Sequence, residues 1–360
     1  MSRVPLTVAA LARSRPLFDT YQRLVSLEFQ SLTSIEVAEA AFSRMLKPNP
    51  YTAFDIPNAP DSDDVLMLGT DQRDYFVPLV REEARHLTDG DAVFDIGCGD
   101  GQTTAKAFET VRCKPAANIL DPNAASIANY KKRMDTGMMP LRKGQSFVDS
   151  IDRFIDRSTA ERSVRSLFGR HALCLVLHSI YFTADVSRLM NFVLDCLRPG
   201  GRALVVFGDD KTGYTGTLAH MYDQERDPPE AGDRRRNIQR RFDVFGIGDG
   251  PITAERATDA MRKELERSDF RVLNAQHHES RLYGNDLGDI LALSFISGLV
   301  QMEDSTLADK LAFVGEALFR HPERFDLALE TDGIRAHMLS VQQPQYYFCI
   351  ERTEVRDDKG

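Results

Sequence analysis

The chain has 360 residues, of which 42% are hydrophobic and 28% charged, and its formal net charge is −9. This length exceeds the usual single domain, so one large α/β core with appended helices, or two domains, is expected. No apolar run is long enough to cross a bilayer, and the acidic balance opposes binding to a phosphate backbone. Five scattered cysteines (Cys98, Cys113, Cys174, Cys196, Cys349) contain no C-x-x-C pair. They suit reduced thiols, and with no export signal near Met1 a soluble cytoplasmic protein is expected.

In chain order, apolar residues from Pro16 to Leu46 recur at three- and four-residue steps, predicting one or two amphipathic helices. Pro48, Pro50, Pro57 and Pro60 break that pattern into a linker or exposed loop. A helix over Asp71 to His86 leads into alternating strands and helices, the arrangement of a mainly parallel sheet covered on both faces. Strands are expected at Ala92–Ile96, Asn118–Leu120, Ser146–Val148, Leu173–Leu177 and Ala203–Phe207. Leu197, Arg198, Pro199, Gly200 and Gly201 end the helix before the fifth of these. A helix over Thr253–Ser268 precedes a strand at Phe270–Gln276. Helices over Ile290–Val300 and Leu307–Phe319 follow, before a last strand near Tyr346–Glu351.

Asp95, Ile96, Gly97, Cys98, Gly99, Asp100 and Gly101 stand between a predicted strand and a predicted helix. Glycines there permit a tight turn and close backbone approach by a ligand. The dinucleotide fingerprint requires glycine where this chain has Gln102, and no G-K-[ST] follows to make a P-loop. The pattern D-x-G-x-G-x-G instead resembles the first motif of class I S-adenosylmethionine-dependent methyltransferases. Asp121 ends the second strand, 20 residues beyond Gly101. A carboxylate there can accept from both ribose hydroxyls of a nucleoside cofactor, or simply start the turn at Pro122.

Asn118 to Lys131 is similar to the second-strand segment of histamine N-methyltransferase and its relatives. Leu175 to Leu197, Ile252 to Ser268 and Tyr283 to Leu291 resemble later segments of that family in the same order, from about Thr70 to Glu351. The resemblance implies a Rossmann-like fold, a seven-stranded methyltransferase sheet with its last strand inserted antiparallel, and helical insertions that bind a small-molecule substrate. It implies S-adenosyl-L-methionine as cofactor, held by Asp95, Gly97, Cys98, Gly99, Gly101, Asp121, Pro122, Ser126, Leu177 and His178. It further places acceptor contacts at Asp71, at Tyr181 with Phe182, and at Gln343, and Tyr75 and Tyr283 are grouped with them. Asp71 stands where the family has a longer glutamate and Gln343 where it has asparagine. The implied domains are a helical lid and linker (1–64), a cofactor-binding core (65–208), further core elements with the substrate insertion (209–345), and the last strand and tail (346–360).

Methyl transfer from a sulfonium is an in-line displacement that needs alignment and water exclusion more than a nucleophile or metal. Asp71, His178 and Tyr181 are the catalytic candidates. Asp71 either positions an acceptor amine or is a helix-start acid favoured by the helix dipole. His178 is either a base or a histidine packed under a loop, and Tyr181 is a pocket wall. Leu177 and Ser179 can contact ligand through backbone. His277 and His278 are adjacent in a strand and point to opposite faces, so no metal is expected there. Asp209 and Asp210 read as a turn. Asp227 to Glu230 lacks the aromatic that a base-flipping enzyme needs. Arg234, Arg235, Arg236, Arg240 and Arg241 read as a solvated helix face. The expected activity is N-methylation of an amine or amino-acid-like metabolite. O- or C-methylation, or a catalytically silent cofactor-binding regulatory protein, are the alternatives.

Overall fold

The run Ala92–Ile96 is a strand because its residues must bury on both sides: Val93 packs into one apolar cluster, and Phe94 and Ile96 into another. The same alternation repeats along the sheet, with Leu173 and Leu175 on the first face and Cys174 and Val176 on the second. The computed structural model describes residues 2–12, 70–158, 160–227, 231–284, 289–290 and 307–354. The predicted helices within Pro16–Leu46, the proline-rich segment and all but the first residue of Ile290–Val300 lie outside them. Two compact units are interleaved along the chain. One comprises Met1–Asp74, Gly208–Arg234 and Glu279–Pro344, the other Tyr75–Phe207, Arg235–His278 and Gln345–Gly360.

The second unit is built on seven strands: β1 (Ala92–Ile96), β2 (Ala116–Asp121), β3 (Arg142–Val148), β4 (His171–Leu177), β5 (Leu197–Gly208), β6 (Phe270–His278) and β7 (Gln345–Arg352). Their spatial order is β3-β2-β1-β4-β5-β7-β6. Strands β3, β2, β1, β4 and β5 pair in parallel, and β7, inserted between β5 and β6, runs antiparallel to β6. This is the α/β sheet that the resemblance implied. Helices α1 (Gln72–Ala84, from Tyr75 onward), α2 (Gln102–Phe108) and α3 (Ala124–Asp135) cover one face. Helices α4 (Val186–Cys196), α5 (Ala231–Val244, from Arg235 onward) and α6 (Ala254–Leu265) cover the other.

Several strands run beyond their expected ends, and two of them do so for clear physical reasons. β3 starts at Arg142 because it is an edge strand whose first residues are polar and exposed, a pattern without an apolar signal. β5 starts directly at Leu197. Gly200 takes φ +75°, and a Cβ at Gly201 would lie 2.6 Å from the His171 carbonyl, so glycine lets the two strands meet.

The first unit holds a four-stranded antiparallel sheet in the order Arg3–Pro5, Ala328–Glu330, Leu339–Gln342, Arg281–Gly284. None of these strands was expected from the sequence. Tyr214 and Leu218 of helix Tyr214–Arg226, with Phe313, Val314 and Leu318 of helix Leu307–Arg320, form its core. Among the described residues no helix is long and apolar enough to cross a membrane.

At the amino-terminal side of the large sheet, one chain of hydrogen bonds fixes a buried histidine. The Gln145 amide donates to Asn118 Oδ1 at 2.7 Å, which turns Asn118 Nδ2 toward His171 Nε2 at 2.8 Å. His171 Nδ1 therefore carries the proton and donates to the Cys196 carbonyl at 3.0 Å. Phe94 stacks on the ring at 5.2 Å between centroids. Burial lowers the His171 pKa, so on acidification the unfolded chain takes up this proton before the folded one. The contribution is present above about pH 6.5 and is lost as pH falls below it. Urea midpoints of the parent and His171→Gln at about pH 7.5 and about pH 5.5 check this. The parent's advantage is expected to narrow at the lower pH, and a constant gap contradicts it.

Candidate functional site

The turn out of β1 runs through three left-handed glycines: Gly97, Gly99 and Gly101 have φ of +70°, +54° and +80°. Side-chain-bearing residues disfavour that region. Space sets two of them apart from the third. A Cβ at Gly97 would lie 2.2 Å from Ser179 Cβ, and one at Gly101 would lie 2.5 Å from the Tyr130 ring. Nothing lies within 4 Å of the corresponding point at Gly99. Gly97 and Gly101 thus pack against the protein, while the space beside Gly99 is open.

The end of β2 pins this loop. The Leu120 carbonyl accepts from Gly97 N at 2.8 Å and from Cys98 N at 3.1 Å. Asp121 Oδ2 accepts from Gly99 N and Oδ1 from Asn123 N, both at 2.9 Å. A carboxylate has about four lone-pair sites, so holding the loop does not by itself exhaust Asp121 for a ligand's hydroxyls. Asn123 in turn caps α3 by accepting from Ala125 N and Ser126 N, which places Pro122 and Ser126 at the start of that helix. Asp100 accepts from Gln102 N at 3.1 Å and pairs with Arg133 at 3.1 Å, closing the loop from its other side.

Asp95 lies beneath the loop, and its side chain is enclosed. Its Oδ2 accepts from Thr104 Oγ1 at 2.6 Å and from Tyr130 OH at 3.0 Å. Burial pushes the carboxyl up to about 6, against the pull of those two donors. Thr104 and Tyr130 were not singled out from the sequence, nor was the Ser179 hydroxyl, which donates to the Ile96 carbonyl at 2.6 Å. Burial, with the nearby Asp95 and Asp121 carboxylates, pushes the Cys98 thiol far up.

At the carboxyl end of β4, His178 takes φ +55°, uncommon for a residue with a side chain. Its amide donates to the Val206 carbonyl at 2.8 Å, and its Nδ1 is 3.2 Å from the Tyr181 hydroxyl. The Phe76 ring lies 5.5 Å from the imidazole. The buried Arg241 places its guanidinium 5.1 Å over the Tyr181 ring. Phe182 is exposed. Tyr75 stacks on His278 at 3.7 Å and donates its hydroxyl to Gln276 Oε1. His277 lies instead on Tyr346, at 4.6 Å, so the two histidines diverge as strand alternation requires. A cavity of about 230 Å³ opens beside His277 and Tyr346, closed by Ile247, Pro251 and Ile252. No group of three or more metal-capable side chains occurs among the described residues. Sequence reading missed Arg241, although it stands three residues after Ile238 and four before Phe245, on the apolar stripe of its helix.

Asp71, Tyr283 and Gln343 belong to the other unit. Asp71 accepts from Arg281 N at 2.6 Å and from Tyr283 OH at 2.8 Å, so these two candidate residues are bonded to each other. Arg335 lies 4.6 Å over the Tyr283 ring and pairs with Asp74 at 2.8 Å. Burial and Asp71 push the Tyr283 phenol up. Gln343 Oε1 accepts from Thr215 N at 3.0 Å and from its hydroxyl at 3.1 Å, at the start of helix Tyr214–Arg226. Asp209 accepts from Lys211 N, Thr212 N and the Thr212 hydroxyl, which is a turn.

No family model matches the chain, and no curated protein does. Among solved structures, the chain is similar to a putative methyltransferase (BH2331) of Bacillus halodurans C-125, at 10% identity over 77% of this chain and 99% of that one, with a TM-score of 0.44. The [4+2]-cyclase SpnF is 11% identical over 90% and 96%, with a TM-score of 0.44. The plantazolicin methyltransferase BamL, solved with a triazolic desmethylPZN analogue and SAH, is 12% identical over 94% and 97%, with a TM-score of 0.38. None of the three lends a residue role to this chain.

Two sets of variants follow from the packing. Gly97→Ala and Gly101→Ala combine a left-handed φ with a clash, so each is expected to cost more than the roughly 1–2 kcal/mol of the backbone strain alone. Chemical unfolding measures this, and a parent-like midpoint for either contradicts the packing described. Asp71→Ala leaves the buried Tyr283 hydroxyl and the Arg281 amide without their acceptor, an expected loss of about 1–3 kcal/mol in the same measurement.

Proposed function

We propose that the chain is an S-adenosyl-L-methionine-dependent methyltransferase acting on a small molecule, and that it N-methylates an amine or amino-acid-like metabolite. The observation that carries this reading is the Gly97–Gly101 turn, whose middle glycine faces open space while its amide is tied to Asp121. That donor set fits a nucleoside cofactor: backbone that can be approached closely, and a carboxylate at the end of the neighbouring strand. When bound, the cofactor supplies an electrophilic methyl group, which passes to the acceptor's lone pair and leaves S-adenosylhomocysteine.

The chain's own residues have the remaining tasks. Asp121 accepts hydrogen bonds from the ribose, and Gly97, Cys98, Gly99 and Gly101 supply the backbone surface against which the cofactor lies. Asp95 keeps that surface in place through Thr104 and Tyr130. Leu177 and His178 end β4 at the same edge of the sheet, where a ligand crevice is expected in an open α/β fold. Tyr181 and Phe182 continue from them as apolar walls that exclude water from the acceptor. Support for the amine comes from the resemblance of the Asn118–Lys131 and Tyr283–Leu291 segments to amine methyltransferases.

Calorimetry with S-adenosylhomocysteine tests the reading. The parent is expected to bind it and to bind NAD more weakly. Asp121→Ala removes charge-assisted hydrogen bonds worth roughly 1.5–3 kcal/mol each before water compensates, so affinity should fall at least tenfold. Gly99→Ala should stay within about 1–2 kcal/mol of parent stability and yet lose affinity, because its methyl group would project into the ligand's space. Unchanged affinity in both variants, or preference for NAD, rejects the proposal.

A further inference from the structure

We infer that Arg133 is a positioning residue for the cofactor: from α3 it holds the middle of the Gly97–Gly101 turn in the shape that the ligand meets. The cofactor rests on the methyltransferase reading; the hold on the turn does not.

The turn is held unevenly. Its two outer glycines are fixed by packing, Gly97 against Ser179 and Gly101 against the Tyr130 ring. Between them, nothing stands within 4 Å of a Cβ at Gly99, and its φ of +54° is one of three left-handed values in this short stretch. Glycine loses more backbone freedom on folding than any other residue, so a middle without packing must be ordered by polar contacts. Two tethers from other elements reach it. From the end of β2, Asp121 Oδ2 accepts from Gly99 N at 2.9 Å. From α3, Arg133 Nε donates to the Asp100 carbonyl at 3.0 Å and Nη2 donates to Asp100 Oδ2 at 3.1 Å. The bond from Gln102 N to Asp100 Oδ1, at 3.1 Å, is local and moves with the loop.

A ligand treats the two tethers differently. Ribose hydroxyls would draw on the Asp121 carboxylate, the same group that holds the Gly99 amide. The Arg133 tether uses neither Asp121 oxygen, so it is the one that persists when that carboxylate is shared. A guanidinium presents its donors in a fixed plane, and here one grips the Asp100 main chain while another grips its side chain. The residue after Gly99 is thereby fixed in direction as well as place. Arg133 stands three residues after Tyr130, so one face of α3 holds Gly101 by ring packing and Asp100 by charge. The pair is partly open to water, with the Arg133 side chain 18% exposed and that of Asp100 38%. Pairs of this kind contribute little to global stability. Losing this one loosens the turn locally and lowers the fraction of molecules competent to bind, and apparent affinity falls in proportion.

Amide hydrogen exchange followed by nuclear magnetic resonance, with calorimetry against S-adenosylhomocysteine, tests this on the full chain. In Arg133→Met the Gly99 amide is expected to exchange faster than in the parent at an unchanged urea midpoint. Affinity should fall roughly three- to thirtyfold as the competent fraction falls. Arg133→Lys, which keeps a cation and a donor, should recover part of both. Asp100→Asn keeps the main-chain bond and removes the ion pair, so its loss should be smaller, and adding it to Arg133→Met should cost nothing further. Parent-like Gly99 exchange or parent-like affinity in Arg133→Met overturns the inference, as do additive losses in the double variant. A fall in the urea midpoint large enough to account for the faster exchange gives Arg133 a structural role alone and also overturns it. If the parent does not bind S-adenosylhomocysteine, the methyltransferase reading fails, and Gly99 exchange by itself decides whether Arg133 holds the turn.

Discussion

The carboxylate of Asp95 is the constraint from which the carboxyl edge of the large sheet is built. A buried acid must have its lone pairs met, and here Thr104 of α2 and Tyr130 of α3 meet them at a single oxygen. That demand orients the Tyr130 ring, and the oriented ring occupies the volume a Cβ at residue 101 would need. Ser179 acts in the same way from the other side. Its hydroxyl bond to the Ile96 carbonyl lays its Cβ against Gly97. Two of the three glycines are therefore required by hydrogen bonds that tie the turn to its surroundings. Gly99 is under no such steric demand.

The smaller unit solves a different problem, since its sheet has short strands and a modest apolar core. Two buried arginines reach partly exposed carboxylates around it. Arg281 donates to the Ser340 hydroxyl at 2.9 Å and pairs with Asp326 at 2.6 Å, and Arg335 joins Asp74. Such pairs contribute little net stability, because desolvation opposes the attraction, but breaking one leaves a charge stranded. They flank a register in which Leu339 lies opposite Gly284 and Ser340 opposite Tyr283. Asp71 takes part in this through the Arg281 amide and the Tyr283 hydroxyl.

What could be read from the sequence follows from where signals are local. β1 matches its expectation residue for residue, because a doubly buried strand declares itself as an apolar run ended by glycine. The glycine turn and the acid after β2 were legible for the same reason. The four-stranded sheet was not, since its strands are three or four residues long and Arg3 finds its partner at Glu330. Polar β3 residues from Arg142 were hidden by exposure at the edge. The work of Asp95 depends on Tyr130, a phenol 35 residues away that no spacing rule connects to it. Arg241 was masked by its neighbours: in a helix with five arginines between Arg234 and Arg241, composition suggests solvent, and only the position between Ile238 and Phe245 marks Arg241 as buried.

Cys98 gives the turn a chemical property as well as a shape. A thiolate is among the strongest nucleophiles a protein carries, whereas a neutral thiol reacts slowly with electrophiles. Burial, with the nearby carboxylates of Asp95 and Asp121, raises the pKa of this sulfur, so it keeps its proton at physiological pH. An alkylating agent brought to the loop therefore finds an unreactive neighbour. Burial first, and then the two acids that shape the turn, hold this thiol in its neutral form.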